Sequence, residues 1–422
     1  MARPSRSAQP VKIYRVGGVV RDELLGRPVA DRDWVVVGAT PETLIASGFK
    51  PVGRDFPVFL HPETREEYAL ARTERKHGRG YRGFEFFASP DVTLEEDLRR
   101  RDLTINAMAR DEDGTLIDPF GGEADLRAGL LRHVSPAFAE DPVRVLRVAR
   151  FAARFGFVVA PETVALMRSL VASGELAELQ AERVWQELAR GLMEPQPSRM
   201  LAVLRECGAL RAILPEVDAL YGAPRRSRRA APAVAGVRLA QALDYAAERG
   251  HPLPVRYAVL AHDLGGAEGA RAAAKQRRTP ARNVRVAEQL SARLKVPVES
   301  RDAARLTARW RGAVDRVSEL PGAKLLDLLA AADALRRPER LDTLLDACES
   351  VALSRPGAGA AYAPAAFVRA ALLIVKRVDA AAVARAVPAQ HERKGALPAD
   401  AIARAVRAAR LEALRKWRRE DG

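Results

Sequence analysis

The chain changes character at Asp118-Pro119-Phe120-Gly121-Gly122, and that break limits the folds open to it. From about residue 12 to this turn signal, short apolar runs rich in Val, Ile and Phe alternate with helical segments. Beyond it strand signals nearly vanish and helical periodicity continues to the C-terminus. The best strand candidates are Val35-Val36-Val37, Pro57-Val58-Phe59-Leu60, Glu67-Tyr68-Ala69-Leu70-Ala71 and Phe84-Glu85-Phe86-Phe87. A chain divided this way is α+β, with a small mixed-sheet head followed by an all-α neck, body and tail. At 422 residues it can hold two or three cores. The expected divisions are 12–132 for the head, 133–221 for the neck and 222–422 for the body and tail. Residues 1–11 read as a disordered tail and 74–83 as a basic, glycine-rich loop; the Pro-bounded basic stretch 222–232 reads as the linker into the body.

A net charge of +15 points to a polyanionic partner, the plainer alternative being a solvated, Arg-rich helical surface. Cys207 and Cys348 are the only cysteines, which excludes a disulfide scaffold and fits a reducing cytosol. The N-terminus has no signal-peptide core, and no apolar run is long enough to cross a bilayer. A cytoplasmic protein with no membrane partner is expected.

Three constellations carry chemistry. Ile13 to Gly38 reads as strand, glycine turn, short helix and second strand. Asp31 and Asp33 open that second strand, and alternation puts both carboxylates on one face. Such a pair suits Mg²⁺, a hard cation with oxygen ligands, while Gly17-Gly18 lets backbone amides approach a phosphate. Asp111-Glu112-Asp113-Gly114 has the same acid spacing among turn residues and reads as a solvated hairpin. The second constellation is Arg99-Arg100-Arg101-Asp102, where guanidinium groups could take phosphates and Asp102 ribose hydroxyls. Glu95, Glu96 and Asp97 supply an alternative there, an ion-paired helix end.

The third is Glu140-Asp141-Pro142-Val143-Arg144. Asp141 is the expected N-cap of a helix on which Arg144, Arg147, Arg150 and Arg154 share a face, while Leu146, Ala149 and Ala153 face a core. An acid leading an arginine stripe can both accept from and donate to the edge of a base. His262-Asp263 could ligate metal, but none of the six histidines is spaced to complete a site, so the pair reads as helix-end or core residues.

Together these segments resemble the class II tRNA nucleotidyltransferases, the CCA-adding enzymes of the polymerase-beta-like superfamily. The likeness runs from about Lys12 to Leu220. It rests on Gly17-Gly18-Val19-Val20-Arg21-Asp22, Asp31-Arg32-Asp33-Trp34, Arg100-Arg101-Asp102-Leu103-Thr104-Ile105-Asn106-Ala107, Asp118-Pro119-Phe120-Gly121-Gly122, Glu140-Asp141-Pro142-Val143-Arg144 and Glu182-Arg183-Val184-Trp185. The resemblance implies a nucleotidyltransferase head in which Asp31 and Asp33 hold Mg²⁺ and Gly18, Arg21 and Arg101 contact the triphosphate. It implies that Asp102 recognises the ribose, that Asp141 and Arg144 form an amino-acid template for CTP or ATP, and that Arg147 and Arg150 complete the site. The partners would be tRNA, CTP and ATP. Glu66 or Glu67 could be a third carboxylate.

The C-terminal half departs from close bacterial relatives, which often carry an HD-type metal phosphohydrolase domain. His262-Asp263 survives, but an expected ligand histidine reads Arg238 and the downstream histidine-rich segment reads Lys275-Gln276-Arg277-Arg278-Thr279-Pro280. A degenerate HD scaffold without a working metal site is expected. Poly(A) polymerase or an A-adding specialist is the nearest rival reading. A metal phosphohydrolase is disfavoured by the missing histidines, and a non-catalytic RNA-binding protein by the intact Asp31, Asp33 and Asp102.

Overall fold

The computed structural model describes residues 10–29, 32–52, 58–76, 84–222, 235–266, 279–355, 357–387 and 398–420. The chain forms two compact units, Met1–Leu214 and Pro215–Gly422. Most of the stretch 222–232 and residues 77–83 of the expected 74–83 loop lie outside the described residues; Glu74, Arg75 and Lys76 belong to a strand instead, because they pair antiparallel with Phe86, Glu85 and Phe84.

The first unit contains β1 (Lys12–Val16), α1 (Gly18–Leu24), β2 (Asp33–Val37), α2 (Pro41–Ala46), β3 (Lys50–Val52), β4 (Val58–Leu60), β5 (Glu67–Leu70), β6 (Arg72–Lys76) and β7 (Phe84–Ala88). Next come α3 (Leu94–Arg99), β8 (Ala109–Arg110), β9 (Leu116–Ile117), α4 (Gly122–Ala128) and β10 (Leu130–Leu131). The rest is α5 (Val143–Phe155), β11 (Val158–Val159), α6 (Pro161–Ala172), α7 (Ala181–Met193), α8 (Pro197–Glu206) and α9 (Ala209–Ile213). Seven strands form a mixed sheet in the order β3-β4-β5-β2-β1-β8-β9, in which β2 and β5 run parallel and the other neighbours antiparallel. All four strand candidates fall on strands, the second from Val58 to Leu60 with Pro57 outside the described residues, the third from Glu67 to Leu70, and Phe84–Phe87 in the separate β6-β7 ribbon.

The apolar run in β2 is continuous because both faces of the sheet are covered. Val35 and Val37 pack with Tyr14, Val16, Leu98 and Ala109, while Val36 packs with Leu44, Phe59 and Leu70 on the opposite side. Trp34 stacks on its cross-strand partner Tyr68 with ring centroids 5.3 Å apart, which helps fix the β2–β5 register.

α3 starts with a capping box, in which the Thr93 side chain accepts from the Glu96 amide and Glu96 reaches back to the Thr93 amide. α5 buries Val145, Leu146, Val148, Ala149 and Ala153 against its neighbours, including α7 and α8. Burying each such Val or Leu is worth about 1.5–3 kcal/mol. The helix stops at Gly156, whose φ of 74° no β-branched residue would adopt cheaply.

The neck is not purely helical, contrary to expectation. β11 pairs in parallel with β10, a two-residue ladder too short to leave a periodic signal in the sequence.

The second unit is helical throughout its described residues. Helices Gly322–Ala331, Pro338–Leu353, Ala363–Lys376 and Pro398–Glu420 share a core that includes Leu325, Leu328, Leu344, Leu345, Val368 and Leu414. No helix among the described residues is long and apolar enough to cross a membrane.

Candidate active site

β2 opens at Asp33, which is exposed and lies on the same face as Val35 and Val37. Asp31 lies outside the described residues. The parallel register sets Glu67 opposite Asp33, whereas Glu66 accepts the indole N–H of Trp34 at 2.9 Å. Carboxylate oxygens at a strand start fit a hard divalent cation, and Asp33 supplies them here.

Gly17 joins β1 to α1, with φ at 71° and its N–H bonded to the Met108 carbonyl at 3.0 Å. The conformation favours glycine, and a Cβ there would meet Arg101 Nη1 at 2.6 Å and push the guanidinium aside. Arg101 therefore lies directly over the glycine turn. Arg101 and Arg100 are held by one carboxylate: Asp97, fully buried, accepts from Arg100 Nη2 at 2.9 Å and Arg101 Nη2 at 3.2 Å. Burial pushes Asp97 up, yet the two guanidinium groups hold it below its ordinary value. The ion-paired helix end and the arginines above the glycine turn are thus one arrangement.

Asp102 is buried and accepts the Leu103 amide at 2.9 Å, the Asn106 side-chain amide at 2.9 Å and Arg147 Nε at 2.7 Å. Burial alone would raise its carboxyl, but Arg147 and Asn106 hold it well below the usual carboxylate range. Arg21 is buried too, donating to Asp22 and to Asn106 Oδ1 with its guanidinium 4.9 Å from the Phe155 ring centroid.

On α5 the arginine stripe is where the spacing predicts it. The cap differs: Pro142 flanks the helix, and Asp141, one residue earlier, still accepts the Val143 amide through its side chain at 3.1 Å. The other Asp141 oxygen accepts Arg183 Nη2 at 2.8 Å, and Arg144 Nη1 donates to the Ala137 carbonyl at 2.9 Å. Arg150 pairs at 2.7 Å with Glu187, a buried acid on α7.

All these side chains converge. A cavity of about 780 Å³ is lined by Gly17, Gly18, Arg21, Asp33, Arg101, Asp102, Asp141, Arg144, Arg147 and Arg150, together with Asn106, Arg183 and Glu187 among others. Ten arginines line it against four acids, Asp33, Asp102, Asp141 and Glu187, so it favours a polyanion. Every described residue that the family resemblance assigns to the site lines it, whereas Arg99 pairs with Glu95 at 2.7 Å and Glu66 and Glu67 line a separate pocket beside Asp33.

Sequence reasoning gave no role to Asn106, Arg183 or Glu187. The only available signal was their place inside the motifs around Asp102 and Trp185, because each acts through a partner distant in the chain.

Hard carboxylate oxygens beside concentrated guanidinium donors suit transfer of a nucleotidyl group from a nucleoside triphosphate. The head agrees: residues 13–132 match the family described as "Poly A polymerase head domain", and 156–221 match "Probable RNA and SrmB- binding site of polymerase A". Fold and site together define a nucleotidyltransferase of that class.

The relatives narrow it. A Multifunctional CCA protein of Nitrosomonas europaea is 56% identical over 404 residues, covering 95% of this chain and 98% of the relative. One from Dechloromonas aromatica is 60% identical over 350 residues, covering 80% and 82%. The crystal structure of the Bacillus stearothermophilus CCA-adding enzyme in complex with CTP is similar with a TM-score of 0.64 at 26% identity, covering 98% of this chain and 95% of that one. The chain belongs to the class II CCA-adding enzyme family. Nucleotidyltransferases of this family depend on a divalent metal.

Proposed function

We propose that this protein adds C, C and A without a nucleic-acid template to the 3′ end of tRNA, using CTP and ATP. The observation that carries this reading is the arginine-rich cavity on which Gly18, Asp33, Arg101, Asp102, Asp141 and Arg144 meet. Action on tRNA places the protein in the cytoplasm.

Asp31 and Asp33 would hold Mg²⁺, which when bound neutralises phosphate charge and activates the attacking hydroxyl. Gly18, Arg21 and Arg101 face the triphosphate, with Arg101 aimed by Asp97. Asp102 accepts from the ribose. Asp141 and Arg144 meet the hydrogen-bonding edge of the base, Asp141 accepting an exocyclic amino group and Arg144 donating. Arg147 and Arg150 close the site, each fixed by a carboxylate. The tRNA 3′-oxygen bonds to the α-phosphorus in line as the bond to the leaving pyrophosphate breaks, and positioning with charge neutralisation supplies most of the rate.

The test uses the full chain, Mg²⁺, labelled CTP or ATP, and tRNA lacking its last three nucleotides. Product ending in CCA and stopping there is expected. Long A tails would instead indicate a poly(A) polymerase, addition of A alone an A-adding specialist, and no incorporation would sink the reading.

The second unit is proposed to lack phosphohydrolase activity. His262 is buried, its Nδ1 is 2.7 Å from the Val259 carbonyl, and Asp263 accepts from Asn283 at 3.3 Å. Arg238 and Arg355 line the same small cavity, bringing guanidinium charge to the place a cation would need. Thr279 caps the helix that begins at Pro280, while 275–278 lie outside the described residues. Cyclic phosphodiesterase activity with Ni²⁺ or Mg²⁺ should be undetectable; activity abolished by His262→Ala would overturn this.

A further inference from the structure

Asp102 has little acceptor capacity left. An ionised carboxylate offers about four lone-pair positions. On Oδ1 two are taken, by the Leu103 amide and the Asn106 side-chain amide, each at 2.9 Å. On Oδ2 one is taken, by Arg147 Nε at 2.7 Å. One position remains, on Oδ2, at the wall of the cavity.

Asn106 decides which position that is. Its own carbonyl oxygen accepts from Arg21, so its amino group must face Asp102; the flipped amide would set an acceptor against a carboxylate and a donor against a guanidinium. Arg21 is fixed in turn by Asp22, at 2.9 and 3.0 Å, and Asp22 also accepts Arg154 Nη2 at 3.2 Å. The bonds run Arg154, Asp22, Arg21, Asn106, Asp102, Arg147, beginning and ending on α5. The carboxylate that meets the sugar is thereby tied to the helix that meets the base.

We infer that Asn106 is a positioning residue for sugar selection: by occupying Oδ1 it leaves Asp102 one open acceptor, sized for a single ribose hydroxyl. The inference rests on the assignment of Asp102 to the ribose. Asn106 touches no reacting atom in this scheme. In Asn106→Ala, Oδ1 regains an open position, the carboxylate can rotate, and water can replace the hydroxyl.

The experiment measures kcat/KM for CTP, 2′-deoxy-CTP, 3′-deoxy-CTP and UTP with the full chain, Mg²⁺ and tRNA lacking its last three nucleotides. In Asn106→Ala the preference for CTP over 2′-deoxy-CTP should fall about ten- to hundredfold, the size of a lost hydrogen bond to a charged group. Preference over 3′-deoxy-CTP and over UTP should hold. A structural role alone would lower melting temperature and all incorporation together without moving the 2′-deoxy ratio, and that result overturns the inference.

Asn106→Ser, which keeps a short donor, should restore part of the preference. If neither variant folds, Asn106 is scaffold and the inference fails. Asp102→Ala separates the two levels: an unchanged 2′-deoxy ratio there refutes the ribose assignment itself, whereas a collapsed ratio there with an unchanged one in Asn106→Ala refutes the positioning role alone.

Discussion

Asp33→Ala should abolish nucleotide incorporation, by on the order of 10³-fold or more, while tRNA binding stays within about twofold. Asp33 is the described carboxylate of the motif, exposed at the start of β2 and lining the arginine-rich cavity. Under the proposed function, removing it would take away oxygen ligands for the cation, and with them the charge that activates the attacking 3′-hydroxyl and steadies the leaving pyrophosphate. On the same reading, tRNA binding would draw on a chain of net charge +15 and so survive the deletion of one acid. Asp31→Ala should behave alike. Primer-extension rates and a filter-binding titration at fixed salt decide it. Loss of incorporation and binding together would mean that Asp33 is structural.

Gly122→Ala should destabilise the first unit by about 3 kcal/mol and lower its Tm by roughly 6–12 °C. Gly122 is the last residue of Asp118-Pro119-Phe120-Gly121-Gly122, and its backbone runs against the 3₁₀ turn Thr104–Asn106. An added Cβ would overlap the Thr104 carbonyl oxygen, with the carbonyl carbon at 2.8 Å and Met108 Cγ at 2.9 Å. Backbone cannot swing aside as a side-chain tip does, so α4 must lift from the turn.

Two contacts resist that movement. Asp118 accepts the Gly122 and Glu123 amides at 2.7 and 2.9 Å, and Thr104 donates to Asp125 at 2.7 Å. Asn106 sits two residues beyond Thr104, so the same change should raise the KM for nucleotide. A thermal melt within 1 °C of the unsubstituted protein would show that the contact relaxes without cost.

The glycine motif looked like a turn signal in the sequence, and it is one. The structure adds that its second glycine is a spacer between two elements, a role that depends on residues 18 positions upstream. Val35-Val36-Val37 read as a strand from its short apolar run, and the structure adds that both of its faces are covered. The stripe from Arg144 to Arg154 was legible because helical period alone brings those residues to one face, and the structure puts all four on the cavity.

What no local pattern could show is which acid holds which arginine. Asn106 reaches Arg21 across 85 residues, Arg147 reaches Asp102 across 45, Arg150 reaches Glu187 across 37, and Arg154 reaches Asp22 across 132.

The sequence by itself therefore determined the strand-rich head, the helical remainder and the residue types of a nucleotidyl-transfer site. Those follow from local periodicity and from the chemistry of carboxylates, glycines and guanidinium groups. Only the tertiary structure decided how the charges pair, that Asp97 serves two arginines, and that Asp102 keeps one open acceptor. Hydrogen bonds saturate, so a group's remaining capacity depends on every neighbour the fold brings to it, and most of those neighbours lie far away along the chain.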